Sequence, residues 1–198
     1  YRQGAALEHA GCLYKLALAI YSGDGAEKDA EQALGLFMRA AEGGHAEAMY
    51  SAGSCHASGQ GAPRCEHIAF KYYKMAADVG HPAAQFTTGV RYSQGLGVNC
   101  SDTLAAAYFR LAADSGHVLG QHNHACHLAQ EGDLEGAGTY FALAAEQGHA
   151  QSQCDLGLLS RDFEPIDLVR AFDNFKLAAD QGHADALVYA GNCYLLGA

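Results

Sequence analysis

The chain has 198 residues, with 22 acidic against 12 basic side chains and a net charge of −10 when histidine is neutral. That balance argues against a nucleic-acid backbone as the main partner, because phosphate binding rests on clustered Lys and Arg. There is no run of 18 apolar residues and no basic amphipathic stretch, so neither a membrane span nor a helix lying on a membrane is expected.

Residues 1–8 read as the tail of a helix, and "YRQGAALEHA" has the character of neither a signal peptide nor a transit peptide. From His9 onward one phrase keeps returning. It is "AAEGGHAE" from Ala40, "AADVGHPA" from Ala76, "AADSGHVL" from Ala112, "AAEQGHAQ" from Ala144 and "AADQGHAD" from Ala178. Its histidines are His45, His81, His117, His149 and His183, spaced 36, 36, 32 and 34 residues apart. A period in the mid-thirties across the whole chain implies a solenoid of short repeats. The repeats are taken as 9–44, 45–80, 81–116, 117–148 and 149–182, with partial copies at 1–8 and 183–198.

Within 81–116, Ala84, Thr88, Gly89 and Tyr92 form a stripe at helical spacing. "QGLGVN" breaks that helix, since its glycines supply turn conformations at little steric cost. Asp102 is expected to cap a second helix whose inner face carries Leu104, Ala105, Tyr108, Phe109 and Ala112, and Gly116 to stop it. The other repeats keep this register. Eight residues after each His stands a small residue: Ala17, Gly53, Gly89, Ala125, Gly157 or Gly191. Three before each alanine pair stands an aromatic: Phe37, Tyr73, Phe109, Phe141 or Phe175. Small residues let helix axes approach, and the aromatics fill the space between stacked helices. The expected fold is therefore an all-α, right-handed superhelical solenoid of about five to six helix-turn-helix repeats.

The residues resemble the Sel-1-like repeat, a relative of the tetratricopeptide repeat. Ala84, Gly89, Tyr92, Gly95, Gly97, Val98, Asp102, Ala105, Tyr108, Ala112, Ala113 and Gly116 match its pattern in order. Repeats four and five depart from it, with "AQEGDLEGA" after Leu128 and "RDFEPIDLV" after Ser160 in place of the G-x-G-V loop. Neither end of the chain shows a polar cap, so a longer array, or ends covered by another molecule, is expected.

The chemistry-bearing residues are sparse. Seven cysteines, with no C-x-x-C, are an odd and scattered set. They are read as reduced, mostly packed thiols, which points to an intracellular setting, cytoplasmic or organellar. The densest stretch is "HVLGQHNHACHLAQ". There His122 and Cys126 lie four apart on one helix face, and His124 and His127 lie three apart, spacings that can chelate a transition metal. His124 falls on a core position and His127 on a margin, so that second pair is not expected to converge. Satisfied or solvated histidines, with no metal and no cofactor, are the expected reading. The recurring histidines are expected to begin the first helices rather than to form a catalytic group. The Gly-rich "GLGVNCSD" and "GDGAEKDAEQ" lack the G-K-[ST] ending of a phosphate loop.

The expected function is a non-catalytic protein–protein interaction scaffold. Such a scaffold would bind a protein or peptide on a concave surface, which the family resemblance assigns to the first helices. The register places Glu47, Ser51, Thr87, Asn123, Asp155, Asp185 and Tyr189 on that surface, with Arg91, His127 and Cys193 at its margin. The alternatives are a structural subunit of a large multiprotein assembly and a repeat protein with a metal or hydrolase site near His122–His127.

Overall fold

The computed structural model describes residues 9–163 and 166–195. Among these there are helices and no strands. In chain order they are α1 (Ala10–Ser22), α2 (Ala30–Glu42), α3 (Ala46–Ser58), α4 (Glu66–Asp78), α5 (Pro82–Gln94), α6 (Asp102–Asp114), α7 (Val118–Gln130), α8 (Leu134–Glu146), α9 (Ala150–Asp162), α10 (Leu168–Asp180) and α11 (Ala184–Leu195). They group into two compact units that divide between Ser115 and Gly116. The first holds three antiparallel hairpins, α1–α2, α3–α4 and α5–α6. The second holds α7–α8, α9–α10 and the lone α11. Residues 1–8 and 196–198, where the terminal partial copies begin and end, lie outside the described residues.

The recurring histidine is an N-cap. Its Nδ1 accepts the backbone N–H three residues on: Ala48 from His45, Ala84 from His81, Gly120 from His117, Ser152 from His149 and Ala186 from His183, at 3.2–3.3 Å. A free helix N-terminus leaves such amides without partners, and a side-chain acceptor there is worth about 1 kcal/mol. The glycine before each of these histidines has a left-handed backbone, as at Gly116 with φ 80°. It ends the preceding helix just past its last turn.

Four of the five second helices are capped by Asp29, Ser101, Asp133 and Asp167, while α4 begins after Cys65 with no side-chain cap. Asp102, expected to be a cap, is instead the first helical residue of α6. Ser101 Oγ accepts from Leu104 N at 3.3 Å, and Asp102 contributes a negative charge to the first turn, where the helix dipole favours one.

Each hairpin closes on one contact. A Cβ added at Gly53 would sit 2.9 Å from the Tyr73 ring, one at Gly89 2.7 Å from the Phe109 ring and one at Gly157 2.6 Å from the Phe175 ring. The helix backbone therefore rests directly against the aromatic face. The alanine pairs pack beside it, with Ala40, Ala76, Ala112, Ala144 and Ala178 wholly buried. Two of the expected G-x-G loops reach back to the preceding repeat. A Cβ at Gly61 would lie 2.2 Å from the Ala30 carbonyl oxygen, and one at Gly97 2.1 Å from that of Glu66. The loop between α9 and α10 carries no such glycine. A groove of about 810 Å³, lined in part by Leu134, Glu135, Gly138, Phe163 and Arg170, runs over the start of α8.

Gly89→Val should destabilise the chain by about 1–3 kcal/mol or more, the cost of forcing extra carbons into a packed core. Gly191→Val at the same register on α11 should leave stability nearly unchanged or slightly raised, because nothing lies within 4 Å of its Cβ position. Denaturation midpoints of the two variants check this, and equal losses at both positions would contradict it.

Candidate functional site

The expected interaction residues divide between the two units. In the first unit Glu47 is exposed, and Ser51 and Thr87 are half-buried. Ser51 Oγ donates to the Glu47 carbonyl and Thr87 Oγ1 to the Ala83 carbonyl, both at 2.8 Å. In the second unit Asn123 donates to the Leu119 carbonyl at 2.8 Å. His127 is half-buried, its Nδ1 3.3 Å from a Glu131 carboxylate oxygen. Asp185 is exposed, and half-buried Tyr189 lies under the Arg161 guanidinium, 5.2 Å from its ring centre.

Two margin residues are not at a margin. Cys193 is fully buried between α10 and α11. Arg91 is 7% exposed. Its Nη1 donates to Glu66 Oε2 at 2.6 Å, and its guanidinium lies 4.8 Å from the Tyr73 ring centre. Glu66 also accepts from Arg64 Nε at 2.8 Å. Hydrogen bonds from Arg91 and then Arg64 hold the Glu66 carboxyl below the usual carboxylate range. Arg91 therefore ties α5 to the start of α4.

A convergent group of side chains forms in the second unit where α7 meets α9. Cys126 Sγ is 3.6 Å from His122 Nε2, one turn away on α7. His122 Nδ1 is 3.1 Å from Ser152 Oγ and 3.6 Å from Asp155 Oδ2. Ser152 is wholly buried, and its Oγ also lies 2.8 Å from His149 Nδ1. The rings of His122 and His149 are 4.9 Å apart. Asp155 Oδ1 accepts from Gln151 Nε2 at 3.1 Å, and Gln151 Oε1 meets His183 Nε2 at 2.9 Å.

Burial dominates the electrostatics of this group. It pushes the Cys126 thiol up to about 11, helped by the Asp155 charge. It lowers the His122 and His149 imidazoles against the opposing pull of Asp155. It raises the Asp155 carboxyl against the Gln151 hydrogen bond and the nearby histidines. Of the stretch singled out in the sequence, His122 and Cys126 do converge. His124 is buried edge-on against Tyr140, with ring centres 4.7 Å apart, whereas His127 meets Glu131. Asp155, Ser152 and Gln151 come from the next repeat. Their part in this group is visible only when one repeat is laid beside the next.

The architecture is that of helical-repeat proteins. The Sel1 repeat matches residues 10–45, 46–81, 82–117, 126–149 and 150–183, and the chain belongs to the Sel1 repeat family. The structure is similar to that of c5321, a protective antigen present in uropathogenic Escherichia coli strains that displays an SLR fold. The TM-score is 0.94 at 28% identity, over all of this chain and 44% of that one. It is also similar to a Sel1 repeat protein from Oxalobacter formigenes, with TM-score 0.81 and 26% identity over 98% of this chain and 79% of that one. YrrB, a TPR protein with an unusual peptide-binding site, shares the fold at TM-score 0.54 and 22% identity, over 91% of each chain. No curated protein matches the sequence significantly. Among the described residues no helix is long and apolar enough to cross a membrane.

Arg91→Leu should cost about 1.5–3 kcal/mol at neutral pH, the range for a hydrogen bond to a charged group. Glu66 has its pKa depressed in the folded state, so the stabilisation is present above the unfolded carboxyl value of about 4.3. It is lost as pH falls through the folded value. Urea denaturation from pH 7 to pH 3 should therefore show the gap between wild type and variant closing in acid. A gap constant over that range would show that Arg91 acts through packing alone.

Proposed function

We propose that the chain is a non-catalytic interaction scaffold that holds a protein or peptide partner on the solvent-facing sides of its first helices. Sel1 and tetratricopeptide-like repeats generally mediate protein–protein interaction, and YrrB, of the same fold, has a peptide-binding site. The observation that carries the reading is a repeated register. In five of the six copies the position two before the small residue bears Ser51, Thr87, Asn123, Asp155 or Tyr189, each half-buried on a first helix, while Lys15 in the first copy is exposed. Three of these polar groups are satisfied by their own helix's carbonyls, which leaves them ordered and their outer surfaces available. Tyr189 beneath Arg161 pairs two of the residue types that most often dominate binding energy.

The test begins with a partner captured by cross-linking and then titrated against purified variants. Glu47→Lys probes the first unit, and Asn123→Ala with Tyr189→Ala probes the second. Loss of an anchor costs about 2 kcal/mol, roughly thirtyfold in affinity. At least one variant should show this while its circular dichroism remains that of a folded helical protein. Wild-type affinity in both would remove the first helices from the interface.

A further inference from the structure

We propose that His122, Cys126 and Asp155 bind one divalent transition cation of the zinc class, through the imidazole Nε2, the thiolate and one carboxylate oxygen, leaving a fourth coordination position open.

The three side chains offer ligand atoms that all lie within 4.8 Å of one another. Metal–ligand bonds of about 2.0–2.3 Å place the donors of a tetrahedral site roughly 3.3–3.8 Å apart. The 3.6 Å between Cys126 Sγ and His122 Nε2 already falls in that range. A thiolate, an imidazole and a carboxylate form a borderline-soft donor set. It suits zinc and its neighbours, whereas calcium and magnesium take oxygen alone. The site is neither sealed nor open, since the His122 and Asp155 side chains keep 18% and 21% of their exposure.

The surrounding hydrogen bonds aim these ligands. The N-cap role of His149 requires a lone pair on Nδ1, because Ser152 N donates to it at 3.2 Å. The Ser152 hydroxyl, 2.8 Å from the same atom, can then only donate to it. Its oxygen is left to accept from His122 Nδ1–H at 3.1 Å. That chain sets the His122 tautomer, so the unprotonated nitrogen is Nε2, the one facing Cys126. Fixing the imidazole through its second nitrogen is how proteins orient metal-binding histidines.

The same logic holds for the carboxylate. His183 Nδ1 accepts from Ala186 N at 3.3 Å, which places its ring proton on Nε2. That proton goes to Gln151 Oε1 and turns the amide's N–H toward Asp155 Oδ1. Asp155 Oδ2 is left facing the His122 imidazole, 3.6 Å from its Nδ1.

The other repeats of the chain serve as an internal comparison. At the register of His122 they carry Tyr14, Tyr50, Phe86, Cys154 and Val188, of which Tyr14 and Tyr50 stack on the next N-cap histidine at 4.5 and 5.0 Å. At the register of Cys126 they carry Leu18, Ser54, Val90, Leu158 and Asn192, and at that of Ser152 they carry Cys12, Ala48, Ala84, Gly120 and Ala186. Folding needs none of the three substitutions, and all of them meet at one point.

Cobalt titration of the full chain under a non-chelating reductant tests the site. One equivalent of Co²⁺ should bind with a thiolate-to-metal charge-transfer absorption, and Zn²⁺ should displace it. Cys126→Ser should abolish that absorption, whereas Cys100→Ser, at the exposed cysteine of the other unit, should leave it intact. Ser152→Ala should weaken binding ten- to a hundredfold, the usual effect of removing a partner that orients a ligand. Should Cys126→Ser fail to fold, Gln151→Ala at an exposed position serves in its place and should also lower the Zn²⁺ affinity. No charge-transfer band at one equivalent, or a band that survives Cys126→Ser, overturns the proposal, as does unchanged Zn²⁺ affinity in both Ser152→Ala and Gln151→Ala.

Discussion

Each complete hairpin turns on the contact between a small residue on the first helix and an aromatic ring on the second. Where the small residue is glycine, at Gly53, Gly89 and Gly157, the ring sits so close that even a methyl group would collide with it. Where it is alanine, at Ala17 and Ala125, the methyl is itself buried against the partner helix, in one cluster with Phe37 and in another with Phe141. This close approach explains the alanine pairs, because two helices so near each other leave no room for longer side chains on flanking turns. It also explains why the residue types recur at fixed offsets while most of the rest of each repeat varies. Buried area follows from the approach, and the packing of each unit follows from repeating it.

The loops follow from the same constraint. With the helices of a hairpin so near, the connecting turn projects past them and lands on the repeat before. Gly97 touches the Glu66 carbonyl, and only a residue without Cβ can do so. Its own carbonyl meets His67 Nδ1 at 3.2 Å. Glu66, held by both Arg64 and Arg91, ties this junction further. The turn after α9 lacks such a glycine, and the start of α8 borders a groove. The departure from the repeat pattern visible in "RDFEPIDLV" thus has a spatial consequence at one junction.

The helices were legible in the sequence because their cause is periodic and local: one small residue, one aromatic and one capping histidine per repeat. What local pattern could not reveal was the partner reached across a junction. Arg91 has the register of a margin residue and became buried because Glu66, 25 residues earlier, draws its guanidinium inward. Cys193 has the same register on α11 and packs among Cys154, Ala186 and Ala190. Asp102 and Ser101 are both good caps in isolation. The chain chose the serine, because the backbone at Ser101 is extended and Asp102 is already helical.

The histidine cluster shows the general form of this limit. Equivalent histidines stand one repeat apart along the array, which argues against their meeting one another. Stacking, however, brings unlike register positions of successive repeats together. The residue five after one capping histidine lies on the next capping histidine, as Tyr14 does on His45, Tyr50 on His81 and His122 on His149. In the first two cases the contact is only a stack of rings. In the third the slot holds an imidazole, and the capping histidine's acceptor role passes through Ser152 to decide which of that imidazole's nitrogens carries the proton. A bond whose first task is to begin a helix thereby sets the chemistry of a side chain in the repeat before it. In a stacked array, two adjacent repeats and a few substitutions are enough to turn a structural contact into a group of converging donors.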